Sequence, residues 1–479
     1  MNKFFNAITT ADILTENGMA THSTSGSFVV DFFYRMAASR NGMGLSRSAH
    51  QMNVEIVKLF NSAWAEDPLT TLRSLFYLRD VRGGQGERQI FRALFRRLCF
   101  CLPEIAIKNI PNIPYFGRWD DLFAGLETPI EKEVMDFLLF SLKSGDKLCA
   151  KWMPRENKSL SIIAKMLMKY WGLTPREYRK LLAGNTEVVE TLMCNREWEK
   201  INYEHVPSRA MYKYRKAFPK RDPERFAAYI EALQKGEKKV NASVLYPHEI
   251  VRKFLSGDLE DIEEKLLEEM WKALPDFVGE GSFITVNDVS GSMNGEPMEV
   301  SIALGIYLSQ KNKSVFKDGF ITFSGQPKLQ YLKGSLRNKI NSLGRAEWGY
   351  NTNLAAVFDL ILNQAVRAGL VPEDLPSTIL IISDMQFDQA TGRNFNPTAY
   401  EMIEEKYKYL GYKIPRIVFW NVRNSSGIPG KADQKGVALV SGYSPSIMKY
   451  LLKGELDKFT PIQIVKDIVE SPRYERVVL

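Results

Sequence analysis

The chain has 479 residues, 45% hydrophobic and 25% charged, with a formal net charge of +8. That length exceeds one ordinary core, so about two or three folded domains are expected rather than a disordered chain. No apolar run reaches the roughly 18 residues of a membrane span, and the scattered Cys99, Cys101, Cys149 and Cys194 argue against a disulfide scaffold.

His22, His50, His205 and His248 show no HExxH spacing, which removes the usual zinc-site pattern. The first residues carry no signal-peptide core, so a reducing, cytoplasmic setting is expected.

Residues 1–275 read as helical. Amphipathic stretches of helix length recur at 47–64, 68–79, 86–101, 129–143, 158–170, 175–193, 222–234 and 257–274. In one of them Ile90, Phe91, Leu94, Phe95 and Leu98 share a face at helical spacing. Short Gly, Pro or Asn turns between them suit stacked antiparallel helix pairs, an all-α module. Pro275 stops the last helix, and Pro275 to Gly281 reads as a linker.

From residue 276 to 479 the pattern changes. Apolar strand-like runs (FITV, GFITF with LQYL, TILIIS, RIVFW, VALV) alternate with helix patterns at 296–310, 353–369, 397–410 and 444–453. Strands apolar on both faces, separated by helices, predict a doubly wound α/β domain with a largely parallel sheet. Ligands in such folds bind beyond the carboxyl ends of the strands.

NDVSGSMNGEP follows the first of these strands and brings Asp288, Ser290 and Ser292 to alternate positions, with Gly291 and Gly295 allowing a tight turn. These are hard oxygen donors, suited to Mg²⁺, or to Mn²⁺ or Ca²⁺. Two further loops offer more: Thr352 in WGYNTNL, just before a helix, and Asp384 at the end of TILIISD. The alternative is that Asp288 and the serines cap the following helix, which accounts for one loop but not three. The DxSxS, loop-threonine, strand-end-aspartate set resembles the metal-ion-dependent adhesion site of von Willebrand factor A domains. That resemblance implies that Ser290, Ser292 and Thr352 touch the ion. Asp288 and Asp384 would hold it directly or through water, leaving a sixth position open for an acidic group from a partner. Metal-activated hydrolysis is the weaker alternative, because carboxylates held as ligands are not free for acid–base work.

In the helical half, RDVRGGQGERQIFR joins two helices through Gly83, Gly84 and Gly86. Arg88, Arg92 and Arg96 lie on one helical stripe. With Arg82 close by, the N–H groups of the new helix start can hold a phosphate. The arginines can equally pair with acids on a neighbouring helix, such as the Asp120-Asp121 pair of YFGRWDDLF.

The charge excess is local. Residues 151–250 hold 20 Lys+Arg against 12 Asp+Glu, whereas the rest of the chain holds 44 of each sign. Within it, VPSRAMYKYRKAFPKRDPERF interleaves Arg209, Lys213, Arg215, Lys216, Lys220 and Arg221 with Tyr212, Tyr214 and Phe218. Cations neutralise phosphates and aromatic rings stack on unpaired bases. A loop whose rings pack inward and whose lysines face water fits the same pattern.

RDVRGGQGERQIFR, YFGRWDDLF and TSGSFVVDFFYRMAASRNG together resemble a family found in viruses, bacteria and plants and, more distantly, the Ro ribonucleoproteins. The resemblance implies a HEAT-like TROVE module joined to a C-terminal von Willebrand A domain, and a non-enzymatic protein that binds small structured or single-stranded RNA. A cation-dependent protein-interaction scaffold is the competing expectation. No membrane partner is expected.

Overall fold

The computed structural model describes residues 11–37, 47–185, 188–323, 326–345, 353–387, 399–423, 427–452 and 458–479. Among them no helix is long and apolar enough to cross a membrane.

The N-terminal region is mainly helical. The helix Gln89–Cys101 buries Ile90, Phe91, Leu94, Phe95, Leu98 and Cys99, the face set by its 3.6-residue period. The preceding helix Pro68–Arg79 starts where Asp67 accepts the Thr70 amide and Pro68 occupies the first turn, a pairing suited to a helix N-terminus. Further helices lie where no periodicity was evident: Phe28–Met36, Lys147–Trp152, Ser208–Tyr214, Ala217–Arg221 and Pro247–Leu255. Each spans at most nine residues, too few turns for a repeating face to stand out. A two-strand hairpin, β1 (Ile13–Leu14) and β2 (Ala20–Thr21), precedes them.

The C-terminal region is a six-stranded mixed sheet: β3 (Phe283–Asn287), β4 (Gly319–Thr322), β5 (Leu329–Tyr331), β6 (Thr378–Ser383), β7 (Arg416–Asn421) and β8 (Val437–Ser441). The order is β5-β4-β3-β6-β7-β8, parallel except for the β4–β5 edge pair. Central strands β3 and β6 are buried along their whole length, as expected of a sheet covered on both faces. The chain leaves β3 toward β4 on one side and returns to β6 on the other. The β3–β6 boundary is therefore the topological switch point.

Both chain ends cross between the two regions. Helix Phe28–Met36 packs on β8, where Ser441 Oγ donates to the Phe33 carbonyl. His22 and Ile428 exchange both backbone hydrogen bonds, 3.1 and 2.8 Å long. From the other end, the helix Pro461–Val469 packs on Pro68–Arg79. Beyond it, Arg476 Nε donates to Asn112 Oδ1 at 2.7 Å.

Candidate metal centre

Asp288 leaves β3 at the switch point, and its amide donates to the Ile382 carbonyl of β6 at 3.0 Å. The parallel register sets Asn287 opposite Ile382, so the two strands end side by side. Asp384 leaves β6 one residue after Ser383. Both carboxylates are buried, at 0% and 2% exposure.

The first loop is built around Asp288. Its Oδ1 accepts the Ser290 amide at 2.9 Å, and its Oδ2 accepts Ser383 Oγ at 2.6 Å. Ser290 and Ser292 hydroxyls lie 3.0 Å apart, with Ser290 buried and Ser292 exposed. The three oxygen donors therefore gather on one turn with one side open. Capping does not explain them. The helix Glu296–Lys311 begins after Gly295, which has φ 90 and makes no side-chain cap.

Asp288 has its pKa pushed up to about 6, first by burial and then by the neighbouring Asp384 charge; the Ser383 and Ser290 hydrogen bonds oppose the rise. Two carboxylates near each other in a buried site repel unless a cation lies with them. Among the described residues, neither has an ion-pair partner. The donors present thus fit a hard divalent ion: two carboxylates with spare lone pairs and two hydroxyls, all oxygen. Thr352 lies outside the described residues.

Three supporting residues were not evident from the motif. Ser383 bridges the strand ends. Arg423, in the loop after β7, donates to the Ser292 carbonyl. Arg252, on helix Pro247–Leu255, donates through Nη2 to Glu296 and through Nε to Glu299, each at 2.5 Å. This clamps the first turn after the Asp288 loop onto the helical region. Only Ser383, beside Asp384, carried a local sequence signal.

Of the two readings of the Gly-rich turn, a phosphate cradle or arginines paired with neighbouring acids, the contacts within the chain favour the second. Glu87 Oε1 accepts the Gln89 and Ile90 amides at 2.8 and 3.0 Å, so the helix start already holds its own carboxylate. The turn is packed into the neighbouring region: Gln85 Oε1 accepts the Tyr443 and Ser444 amides. Arg82 donates to the Tyr115 carbonyl. Arg92 pairs with Asp120 and Asp121 at 2.9 and 2.7 Å, and buried Arg79 pairs with Asp121 at 2.7 Å. Arg88 is half-buried and its pKa is lowered by burial and by Arg118 and Arg92.

The basic, aromatic stretch is divided. Arg209 pairs with Glu249, Arg215 with buried Glu263, and Lys216 with Asp258 and Glu263. Phe218 and Phe226 pack with Tyr203 and Tyr229 in a ring cluster. Lys213 sits over the Tyr214 ring at 4.9 Å. Lys213, Lys220 and Arg221 are exposed and form no salt bridge among the described residues, although Tyr214 first and the Glu190 charge after it raise the Lys213 pKa.

Fold and site together describe a helical region joined to a six-stranded mixed sheet that presents an oxygen-donor cluster at its β3–β6 switch point. Residues 15–146 and 138–280 match the domain of unknown function DUF2828, and residues 282–472 match the domain of unknown function DUF7788. The chain belongs to the DUF2828 family. It is similar to an uncharacterized protein of Acanthamoeba polyphaga mimivirus, 32% identical over 95% of this chain and 87% of that protein.

Proposed function

We propose that this is a non-enzymatic, divalent-cation-dependent binding protein. Its C-terminal region acts as a von Willebrand factor A domain, and its helical region is a TROVE-like scaffold of HEAT-like pairs. The reading rests on one observation: Asp288 and Asp384 are buried as neighbours at the β3–β6 switch point, beside the Ser290 and Ser292 hydroxyls, with no cationic side chain paired to either among the described residues. Mg²⁺ or Mn²⁺ there would leave a position on the Ser292 side for an acidic group from a partner. The test is isothermal titration of Mn²⁺ into wild type and Asp288→Ala, followed by partner capture in Mg²⁺ and in chelator. Wild type is expected to bind one ion and the variant none. A wild type that binds no Mn²⁺ overturns the proposal.

A second reading, RNA binding, is supported by the exposed Lys213, Lys220 and Arg221 on the consecutive short helices Ser208–Tyr214 and Ala217–Arg221. Anionic backbones are drawn to such unneutralised clusters. It is the weaker reading because Arg92, Arg209, Arg215 and Lys216 already have acidic partners within the chain.

A further inference from the structure

We infer that Thr15 and Asn17, in the N-terminal hairpin, are positioning residues for Asp384 of the cation site. The inference rests on the cation reading above and assigns the site a component from the opposite end of the chain.

Asp384 is followed by Met385, whose φ of 64 lies in the left-handed region. A side chain other than glycine holds that conformation only when its surroundings impose it. Part of the constraint is local: Ser383 Oγ accepts the Met385 amide at 3.0 Å, and Asp384 Oδ1 accepts the Gln386 amide at 3.3 Å. The rest comes from the turn between β1 and β2. Thr15 Oγ1 donates to the Phe387 carbonyl at 2.7 Å, the Glu16 amide donates to Gln386 Oε1 at 2.7 Å, and Asn17 Nδ2 donates to the Gln386 carbonyl at 2.8 Å. Three bonds from three successive residues thus grip the two residues that follow the strained turn.

The hairpin is itself anchored. Thr15 Oγ1 also accepts the Met19 amide at 2.9 Å, so the hydroxyl is fixed from both sides and buried. Next to it, Thr21 Oγ1 donates to the Ile428 carbonyl at 3.0 Å, and His22 pairs with Ile428 through the backbone. The hairpin therefore joins the loops that follow β6 and β7. With Met385 held in this conformation, Asp384 keeps its place beside Asp288. Once the grip is released, the turn can relax and carry the carboxylate away. Residues that orient metal ligands in this way commonly set affinity by about 10–100-fold.

The probe is Mn²⁺, titrated calorimetrically into the full chain, with the melting temperature of each variant measured in chelator. Thr15→Val keeps the shape but removes the donor to Phe387 and the acceptor for Met19. Thr15→Ser keeps both. Asn17→Ala, at an exposed position, removes the bond to the Gln386 carbonyl with little demand on folding. Thr15→Val is expected to bind Mn²⁺ at least about tenfold more weakly, Thr15→Ser to match wild type, and Asn17→Ala to fall between. Wild-type affinity in both Thr15→Val and Asn17→Ala overturns the inference, as does a Thr15→Ser variant as weak as Thr15→Val. If Thr15→Val does not fold, Asn17→Ala decides alone. A wild type that binds no Mn²⁺ instead removes the cation reading and this inference with it.

Discussion

Ser383 Oγ donates to Asp288 Oδ2 at 2.6 Å, joining the carboxyl ends of β6 and β3 at the point where the sheet changes winding direction. That bond stabilises the charged form of Asp288, yet burial and Asp384 outweigh it and bring the pKa up to about 6. A carboxyl whose folded pKa exceeds its unfolded value favours the fold when protonated. Its contribution is complete below about pH 4 and is lost as pH rises through about 6. In chelator, wild type should therefore lose on the order of 2–3 kcal/mol relative to Asp288→Asn between pH 4 and pH 7. Saturating Mg²⁺ should flatten that difference, because an ion keeps the carboxylate charged at little cost. Urea unfolding of both proteins across this range checks it. A pH-independent difference in chelator would show that Asp288 is ionised throughout.

Arg252 links the helical region to the helix that follows the Asp288 loop, through Glu296 and Glu299. Its guanidinium is only half-buried, so the pairing is worth far less than two charge-assisted bonds in an interior. A double-mutant cycle of Arg252→Ala and Glu296→Ala should give a coupling of about 1 kcal/mol in urea unfolding. A coupling indistinguishable from zero would mean that the clamp is a surface pairing without mechanical consequence. Cation affinity measured on the same variants reads whether the clamp reaches Ser290 and Ser292.

The strands and the placing of Asp288 and Asp384 at their ends were legible because their signals are local. FITV and TILIIS are buried on both faces, so their apolar runs are unbroken, and Asp288 and Asp384 stand at the first polar position beyond the strand or next to it. What the helical region does with its arginines was legible only in part. The Asp120-Asp121 pair stood out as a candidate acidic partner, and Arg92 meets it; Arg215 finds Glu263 across 48 residues, a separation at which a linear pattern carries no pairing information. The same limit hid the hairpin's grip on Gln386 and Phe387, made across about 370 residues. Tyr212, Tyr214 and Phe218 read as base-stacking rings because they are interleaved with cations; Phe218 packs instead on Tyr203, Tyr214 and Phe226.

Asp80 ends the helix Pro68–Arg79 with its carboxylate fully buried. It receives Arg473 through Nε and Nη2, the Tyr474 hydroxyl at 2.9 Å and the Arg82 amide at 2.9 Å. Removing the acid leaves a partly buried guanidinium and a buried hydroxyl without their acceptor. Asp80→Ala should cost about 3 kcal/mol or more, whereas Tyr474→Phe, which removes one donor, should cost about 1 kcal/mol. Chemical denaturation gives both values. Near-equal losses would mean that the carboxylate is hydrated and that the C-terminal segment is held mainly by its apolar contacts.

Arg215 and the pair Lys220 and Arg221 lie within seven residues of one another and should respond differently to the same substitution. Arg215 Nε is 3.0 Å from Glu263 Oε1, and Glu263 is at 0% side-chain exposure. Truncating the arginine strands a buried acid, so Arg215→Ala should lower stability by about 2–4 kcal/mol while leaving RNA affinity near wild type once the protein is kept folded. Lys213, Lys220 and Arg221 are exposed, so replacing all three by alanine should cost little stability. If RNA binds there, that triple variant should weaken binding to a single-stranded oligonucleotide. It should also reduce the slope of log affinity against log salt by about 2, because each neutralised phosphate releases its counterions. Fluorescence anisotropy at several salt concentrations reads both quantities. An unchanged slope in the triple variant moves any RNA contact off this face.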